Sequence, residues 1–216
     1  METALATRRL IYGSWGLAAV VCGLAIFTWQ GVRFDGRSLS IYDWFPLLGL
    51  LAFSLMWTHY ILGSVRRYIG LPKDANQNYN SISGAVVLLL ILLHPSLLIF
   101  ALYKDGFGLP PSSYLTVYGE PIMKVAIILG TTSFIIFMMF ELKRWLQDKP
   151  IWRVIDSLQA VAMGFIFYHA LTLGGELSTG WYKTVWYFYG ISLLVSLILN
   201  YKIDKKTGES NAIKQK

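Results

Sequence analysis

Charged residues are scarce in this chain. Asp, Glu, Lys and Arg together make up 14% of its 216 residues, whereas a soluble globular domain carries about a quarter. Hydrophobic residues reach 55%, and they gather in runs of roughly 20 residues, the length at which a helix crosses a bilayer. Because every backbone polar group in lipid needs an internal partner, such runs are expected to be helical. The composition excludes an ordinary soluble domain and predicts an all-α integral membrane protein.

Cysteine and long polar segments are also nearly absent. Cys22 is the one cysteine, so an intrachain disulfide is excluded and thiols say nothing about the redox compartment. The basic excess, a net charge of +7, lies in short loops and in the tail, which favours membrane orientation over nucleic acid as its cause. We expect no nucleic-acid partner, and we expect any flavin, nicotinamide or substrate-reducing domain to be a separate protein.

Six apolar runs predict a six-transmembrane-helix bundle. Their approximate bounds are 10–29, 44–65, 82–103, 122–142, 154–173 and 184–201. Residues 1–201 form the predicted transmembrane domain, and residues 202–216 a polar, Lys-rich cytoplasmic tail without regular structure. The connection from Lys104 to Pro121 is rich in Gly and Pro, which predicts a loop with little regular structure.

The distribution of Lys and Arg predicts the orientation. Of the 19 basic residues, fourteen fall on one side of the six spans and five on the other. The first side holds Arg8, Arg9, Arg66, Arg67, Lys73, Lys143, Arg144, Lys149, Arg153, Lys202, Lys205, Lys206, Lys214 and Lys216; the second holds Arg33, Arg37, Lys104, Lys124 and Lys183. Because basic loops stay in the cytoplasm, both termini are expected to be cytoplasmic.

Two of the three histidines lie at the same predicted depth. The third span reaches His94 thirteen residues after Ser81, and the fifth reaches His169 fourteen residues after Ile155. At 1.5 Å per residue, both lie roughly 20 Å above the inner edge of a core about 30 Å thick. A titratable ring in lipid is costly without a partner, and two imidazoles in one layer can hold the iron of a haem. His59 lies in a different layer and is left outside the ligand set.

Other residues support a crowded site with less specificity. Gly84 in the third span, with Ala160 and Gly164 in the fifth, offers small surfaces that a flat macrocycle or another helix could approach. Helix packing alone also explains such residues. Ring N–H groups of ligating histidines need acceptors, which we expect to be Ser or Thr hydroxyls or a freed backbone carbonyl.

Two segments resemble the ferric reductase-like transmembrane domain family. One is the span that ends in Arg66-Arg67-Tyr68-Ile69-Gly70 together with LLLILLHPSLLIFALY, and the other is WRVIDSLQAVAMGFIFYHALTLGG. The family includes ferric reductases, NADPH oxidases and the haem-binding membrane subunit of the bacterial methionine sulfoxide reductase system, which this chain resembles most in size. The resemblance implies a multi-pass protein of a bacterial inner or cytoplasmic membrane.

The resemblance also implies the number and position of the haems. Many members carry two stacked haems, and His94 and His169 match the outer pair of ligands. The positions that correspond to the inner pair are Asn80 and Asp156, and neither is a usual haem ligand. One haem b in the outer leaflet is therefore implied, with no ordinary inner haem. For Asp156 we instead expect a capping role at the start of the fifth span.

The sequence thus predicts a membrane b-type cytochrome, an oxidoreductase or an electron-transfer subunit, with His94 and His169 as axial ligands of one haem iron. Its expected partners are membrane lipid, a separate electron donor that is quinol or a flavoprotein, and an extracytoplasmic acceptor. Quinone is a further candidate cofactor. The candidate partners of the haem propionates are Lys104, Lys183, Arg33 and Arg37. The alternative is a non-redox polytopic scaffold or transport-associated subunit whose histidines are structural.

Overall fold

A computed structural model describes residues 2–34, 36, 38–142, 151–178 and 180–214. Within these ranges the side chains of 140–142, 151–153, 155–156 and 204–214 are not described. The described residues form helices joined by short connections, and they contain no strand. Its helices are α1 (Glu2–Arg33), α2 (Ile41–Tyr68), α3 (Gln77–Lys104), α4 (Ser112–Val117), α5 (Pro121–Leu142), α6 (Ile151–Leu173) and α7 (Trp181–Lys214), with a single 3-10 turn at Gly175–Leu177.

Five described helical segments are long and apolar enough to cross a membrane. They are Glu2–Arg33, Ile41–Tyr68, Gln77–Lys104, Pro121–Met139 and Trp181–Ile203. In α6 the apolar stretch that the structure describes, Ser157–Leu173, is shorter. The expectation of an all-α, multi-pass membrane protein is confirmed at this level. Each of the six predicted spans nevertheless falls within one long helix.

The helices pack as a central group and a peripheral hairpin. Helix α2 is central, because it packs against α1, α3 and α7, whereas α5 and α6 pack mainly on each other. Aromatic rings fill the contact between α2 and α7. Phe53 stacks on Trp186, and Trp57 packs against Tyr189, each pair with its ring centres 4.5 Å apart. Large buried rings of this kind dominate core energetics.

Ionic and polar contacts tie the ends of several helices together. Arg33 Nε at the end of α1 donates to Glu176 Oε1 at 2.7 Å, and Arg33 Nη1 lies 3.6 Å from Asp43 Oδ1 near the start of α2. Trp29 Nε1 donates to the Asp43 carbonyl oxygen at 2.6 Å. Since Glu176 lies in the 3-10 turn that follows α6, these contacts join α1, α2 and the end of α6.

Three predictions about the chain's course are wrong. The connection from Lys104 to Pro121 contains the short helix α4, which starts at Ser112 with Pro111 as its N-cap residue. The tail is helical to Lys214, because extending an existing helix avoids the cost of nucleating one. Helix α6 begins at Ile151, so Asp156 lies inside the helix and does not cap it.

Candidate functional site

His94 of α3 and His169 of α6 face each other across the bundle. Their ring centres are 6.5 Å apart, and the ring planes are inclined at 79°. The structure therefore brings together the two rings for which the sequence predicts the same depth. Their role as ligands stays a prediction, because shared position alone does not define a ligand.

Each imidazole is anchored by one nitrogen to a backbone carbonyl of the neighbouring helix. His94 Nδ1 lies 2.7 Å from the Phe45 carbonyl oxygen of α2, and His169 Nδ1 lies 2.9 Å from the Ala126 carbonyl oxygen of α5. A carbonyl oxygen only accepts, so Nδ1 carries the hydrogen in both rings and Nε2 keeps its lone pair. Metal-ligating histidines commonly have this arrangement, which fixes the tautomer and the ring orientation.

The Nε2 atoms have no such partner. Among the described residues, neither His94 nor His169 makes a hydrogen bond through Nε2. Both rings line the same cavity. The structure thus combines two imidazoles anchored through Nδ1 with two Nε2 atoms that are available for coordination.

Two glycines make room for the rings. A Cβ added at Gly49 would lie 2.9 Å from His94 Cε1, and a Cβ added at Gly130 would lie 2.8 Å from His169 Cε1 and still closer to its Nδ1. Gly84 and Gly164, singled out from the sequence, do not have this role: a Cβ added at Gly164 would meet nothing within 4 Å, and one added at Gly84 would lie 3.8 Å from His59 Cε1. The sequence pointed to small residues on the helices that carry the histidines, whereas Gly49 and Gly130 lie on the facing helices α2 and α5.

The cavity beside the two rings lies between the α2–α3 and α5–α6 hairpins. Its volume is about 460 Å³, which falls within the range of about 300–1,000 Å³ that is usual for ligand cavities. Apolar side chains form most of its wall. Examples from four helices are Leu50, Phe53, Ile91, Phe134 and Ile166.

Arg33 and Glu176 supply charge to the cavity wall. Glu176 is 1% exposed and bonds to Arg33 through Oε1, while its Oε2 is buried without a partner in the described part of the chain. Arg33 is therefore the member of the predicted propionate-binding set that lies at the cavity, and it is already paired. Lys104 and Lys183 are not in the cavity wall, and Arg37 lies outside the described residues. Sequence reasoning missed Glu176, because no local pattern indicated its pairing with a residue 143 positions away.

His59 has a different environment. Its Nε2 lies 2.7 Å from Ser83 Oγ, and its ring contacts Tyr79 edge-on with centres 5.7 Å apart. It is absent from the cavity wall. These contacts are those of a hydrogen-bonded histidine within the bundle, which supports leaving it out of the ligand set.

Asn80 and Asp156 occupy the positions that correspond to the inner ligands of the family that the chain resembles. Asn80 is exposed, and the side chain of Asp156 lies outside the described residues. No group of three or more His, Cys, Asp and Glu side chains suited to a metal ion occurs in the part of the chain that was described. Comparisons with protein-family models, with curated proteins and with solved structures find no match to this chain.

The distance between the two ring centres is compatible with an ion held between the imidazoles. Metal–imidazole bonds of about 2.0–2.1 Å, with each nitrogen roughly 1.1 Å from its ring centre, place two rings on opposite sides of one ion about 6.3 Å apart. The observed separation is 6.5 Å. Two protein nitrogens are too few for a bare structural metal ion, which takes about four ligands. A haem would supply the remaining ligands from its macrocycle, and its apolar body would suit the apolar cavity wall.

Proposed function

We propose that this chain is a membrane b-type cytochrome with one haem, whose axial ligands are His94 and His169. The proposal rests on one observation: two imidazoles 6.5 Å apart, each anchored through Nδ1 to a helix carbonyl, beside an apolar cavity. A haem bound there supplies reversible one-electron transfer.

The residues of the chain hold and shield that group. His94 and His169 present Nε2, and the Phe45 and Ala126 carbonyls orient the rings. The apolar wall keeps water away, which is a principal means by which a protein tunes a redox centre. Arg33 is the proposed contact for the haem carboxylates, since it lies at the cavity with its charge partly shared with Glu176.

The proposed topology is six spans with both termini in the cytoplasm, following the distribution of basic residues. The histidine pair then lies in the outer half of the membrane. The proposed role is electron transfer to an extracytoplasmic acceptor, with a quinol or a partner protein as donor.

Aromatic packing supports a single haem layer. Phe167 precedes His169 by two residues on α6, and its ring lies 6.2 Å from Phe53 and 6.4 Å from Trp186. Trp57 lies one turn further along α2 and continues the cluster. Rings therefore occupy the space next to the histidine pair on the proposed inner side.

A non-redox scaffold with structural histidines is the second candidate. It is favoured by the hydrogen bonds to Phe45 and Ala126, which satisfy one nitrogen of each ring without any ligand. It does not account for two Nε2 atoms left without a partner at one cavity.

The test is an optical spectrum of the full chain, purified from cells with ample haem supply. Sharp b-type bands in the dithionite-reduced minus oxidised difference spectrum are expected. Protein that stays colourless under these conditions would favour the scaffold and end the cytochrome proposal.

A further inference from the structure

The two histidine sites share one local design. In each, the imidazole bonds to the carbonyl of a residue on the facing helix, and a glycine follows that residue by four positions. The pairs are Phe45 with Gly49 for His94, and Ala126 with Gly130 for His169. The two pairs lie on different helices, α2 and α5, so the same arrangement occurs twice in the molecule.

Helix geometry explains the spacing of four. The carbonyl of residue i is one turn below residue i+4. Every Cα–Cβ bond in a helix tilts toward the N-terminus, so a side chain at i+4 leans back over the carbonyl of residue i. A Cβ at position 49 or 130 would thus enter the space that Nδ1 occupies: its distance to His94 Nδ1 would be 3.0 Å, and to His169 Nδ1 it would be shorter still.

We infer that Gly49 and Gly130 are positioning residues for the two ligands. Their missing Cβ atoms let each imidazole reach its carbonyl, which fixes the Nδ1–H tautomer and leaves Nε2 for the metal. The inference rests on the proposed haem for its purpose. Its geometric part concerns the chain alone and can be tested without haem.

Ordinary helix packing is the competing explanation for these glycines, and the chain offers controls for it. A Cβ added at Gly63 on α2 or at Gly164 on α6 would meet nothing within 4 Å, so alanine at these positions adds a methyl group without a new contact. At Gly190 an added Cβ would lie 2.6 Å from Phe167 Cζ. Alanine at Gly190 therefore crowds a ring that is not a ligand and reports on packing alone.

The first measurement uses haem-free full-length protein labelled with ¹⁵N in its histidines. With three histidines in the chain, the imidazole signals are assigned by single substitutions. We expect the Nδ1–H tautomer for His94 and His169 in the unmodified chain. Gly49→Ala should change the signals of His94 alone, Gly130→Ala those of His169 alone, and Gly63→Ala, Gly164→Ala and Gly190→Ala neither.

The second measurement titrates haem into the same proteins. Loss of a partner that orients a ligating histidine lowers metal affinity about 10–100-fold, so this loss is expected for Gly49→Ala and Gly130→Ala, with the larger effect at Gly130. The haem-free variants should unfold at a slightly lower temperature than Gly164→Ala, because each loses one histidine hydrogen bond while the imidazole can still turn away from the added methyl group. The electron paramagnetic resonance spectrum of the remaining ferric haem should shift.

The outcomes separate the inference from the proposed function. If the unmodified chain binds no haem but the tautomers change as expected, the cytochrome proposal fails and the positioning of the rings stands. If haem binds and both alanine variants match Gly164→Ala in affinity, tautomer and spectrum, the positioning role is overturned. A loss of affinity equal to that of Gly190→Ala, with unchanged tautomers, would assign the effect to packing and also overturn it.

Discussion

The α2–α3 and α5–α6 hairpins present their histidines in the same way but are supported differently. In both, the second helix carries the histidine and the first supplies the carbonyl and the glycine. Helix α2 is enclosed by α1, α3 and α7, and 56% of its most apolar stretch is buried inside the protein. In α5 only 17% of the corresponding stretch is buried. One half of the site is thus held by the core, and the other lies at the edge of the bundle.

This difference indicates what a ligand would contribute. The cavity separates the two hairpins, so across it they share few direct contacts. A group bound to one histidine from each hairpin would join them. Anything that binds the folded state alone stabilises it by mass action, and here we expect the gain to fall mainly on the peripheral hairpin.

The largest expected effect comes from removing either ligand. His94→Ala and His169→Ala should each abolish the b-type bands, because in the proposed site both imidazoles would hold the iron and one alone would be insufficient. The difference spectrum measures this, with His59→Ala as the control that keeps its bands. Loss of the bands in His59→Ala alone would show that the ligands were wrongly assigned.

The next largest effect is expected from the ion pair between Arg33 and Glu176, which joins the end of α6 to α1 in the absence of any ligand. Glu176→Ala removes the carboxylate bonded to Arg33 Nε but leaves Asp43 3.6 Å from Arg33 Nη1; breaking a buried ion pair costs about 3–5 kcal/mol. Because Arg33 is 23% exposed, we expect the lower part of that range in the free energy of unfolding. Denaturation in detergent measures it, with the exposed Glu120→Ala as control. Equal stability of the two variants would show that this ion pair does not hold α6.

A third prediction compares the hairpins directly by hydrogen exchange. In haem-free protein, the amides of α5 and α6 should exchange faster than those of α2. Haem at about 100 times its dissociation constant should stabilise the folded state by about 2.7 kcal/mol, and protection should rise most in α5 and α6. A uniform rise across all helices would contradict the idea that the ligand fastens the peripheral hairpin.

The smallest expected effect concerns the third histidine. Ser83→Ala removes the hydroxyl 2.7 Å from His59 Nε2, and a typical hydrogen bond contributes about 1 kcal/mol. We expect a decrease of about that size in unfolding free energy, with no change in the haem bands. A shift of the bands would mean that His59 influences the haem site.

Much of the architecture follows from local sequence, and much of the site does not. Apolar run length predicts the helices, and the depth of His94 and His169 predicts that they meet, because both depend on distance along one helix. The partners of the rings escape such reasoning. Gly49 and Gly130 resemble any other glycine in a span until the neighbouring helix is known, and the pairing of Arg33 with Glu176 depends on tertiary structure alone.

Errors at the termini of helices have a similar origin. The length of an apolar run indicates the part of a helix that suits lipid, but the helix itself can extend beyond that run into polar residues. This is why α7 reaches Lys214 and α6 begins five residues before Asp156.

Haem content per chain tests the central claim most directly. Purified full-length protein should contain close to one haem b per chain by the pyridine haemochrome assay, and none in His94→Ala or His169→Ala. A value near two would contradict the single histidine layer, and a value near zero despite ample haem supply would contradict the cytochrome itself.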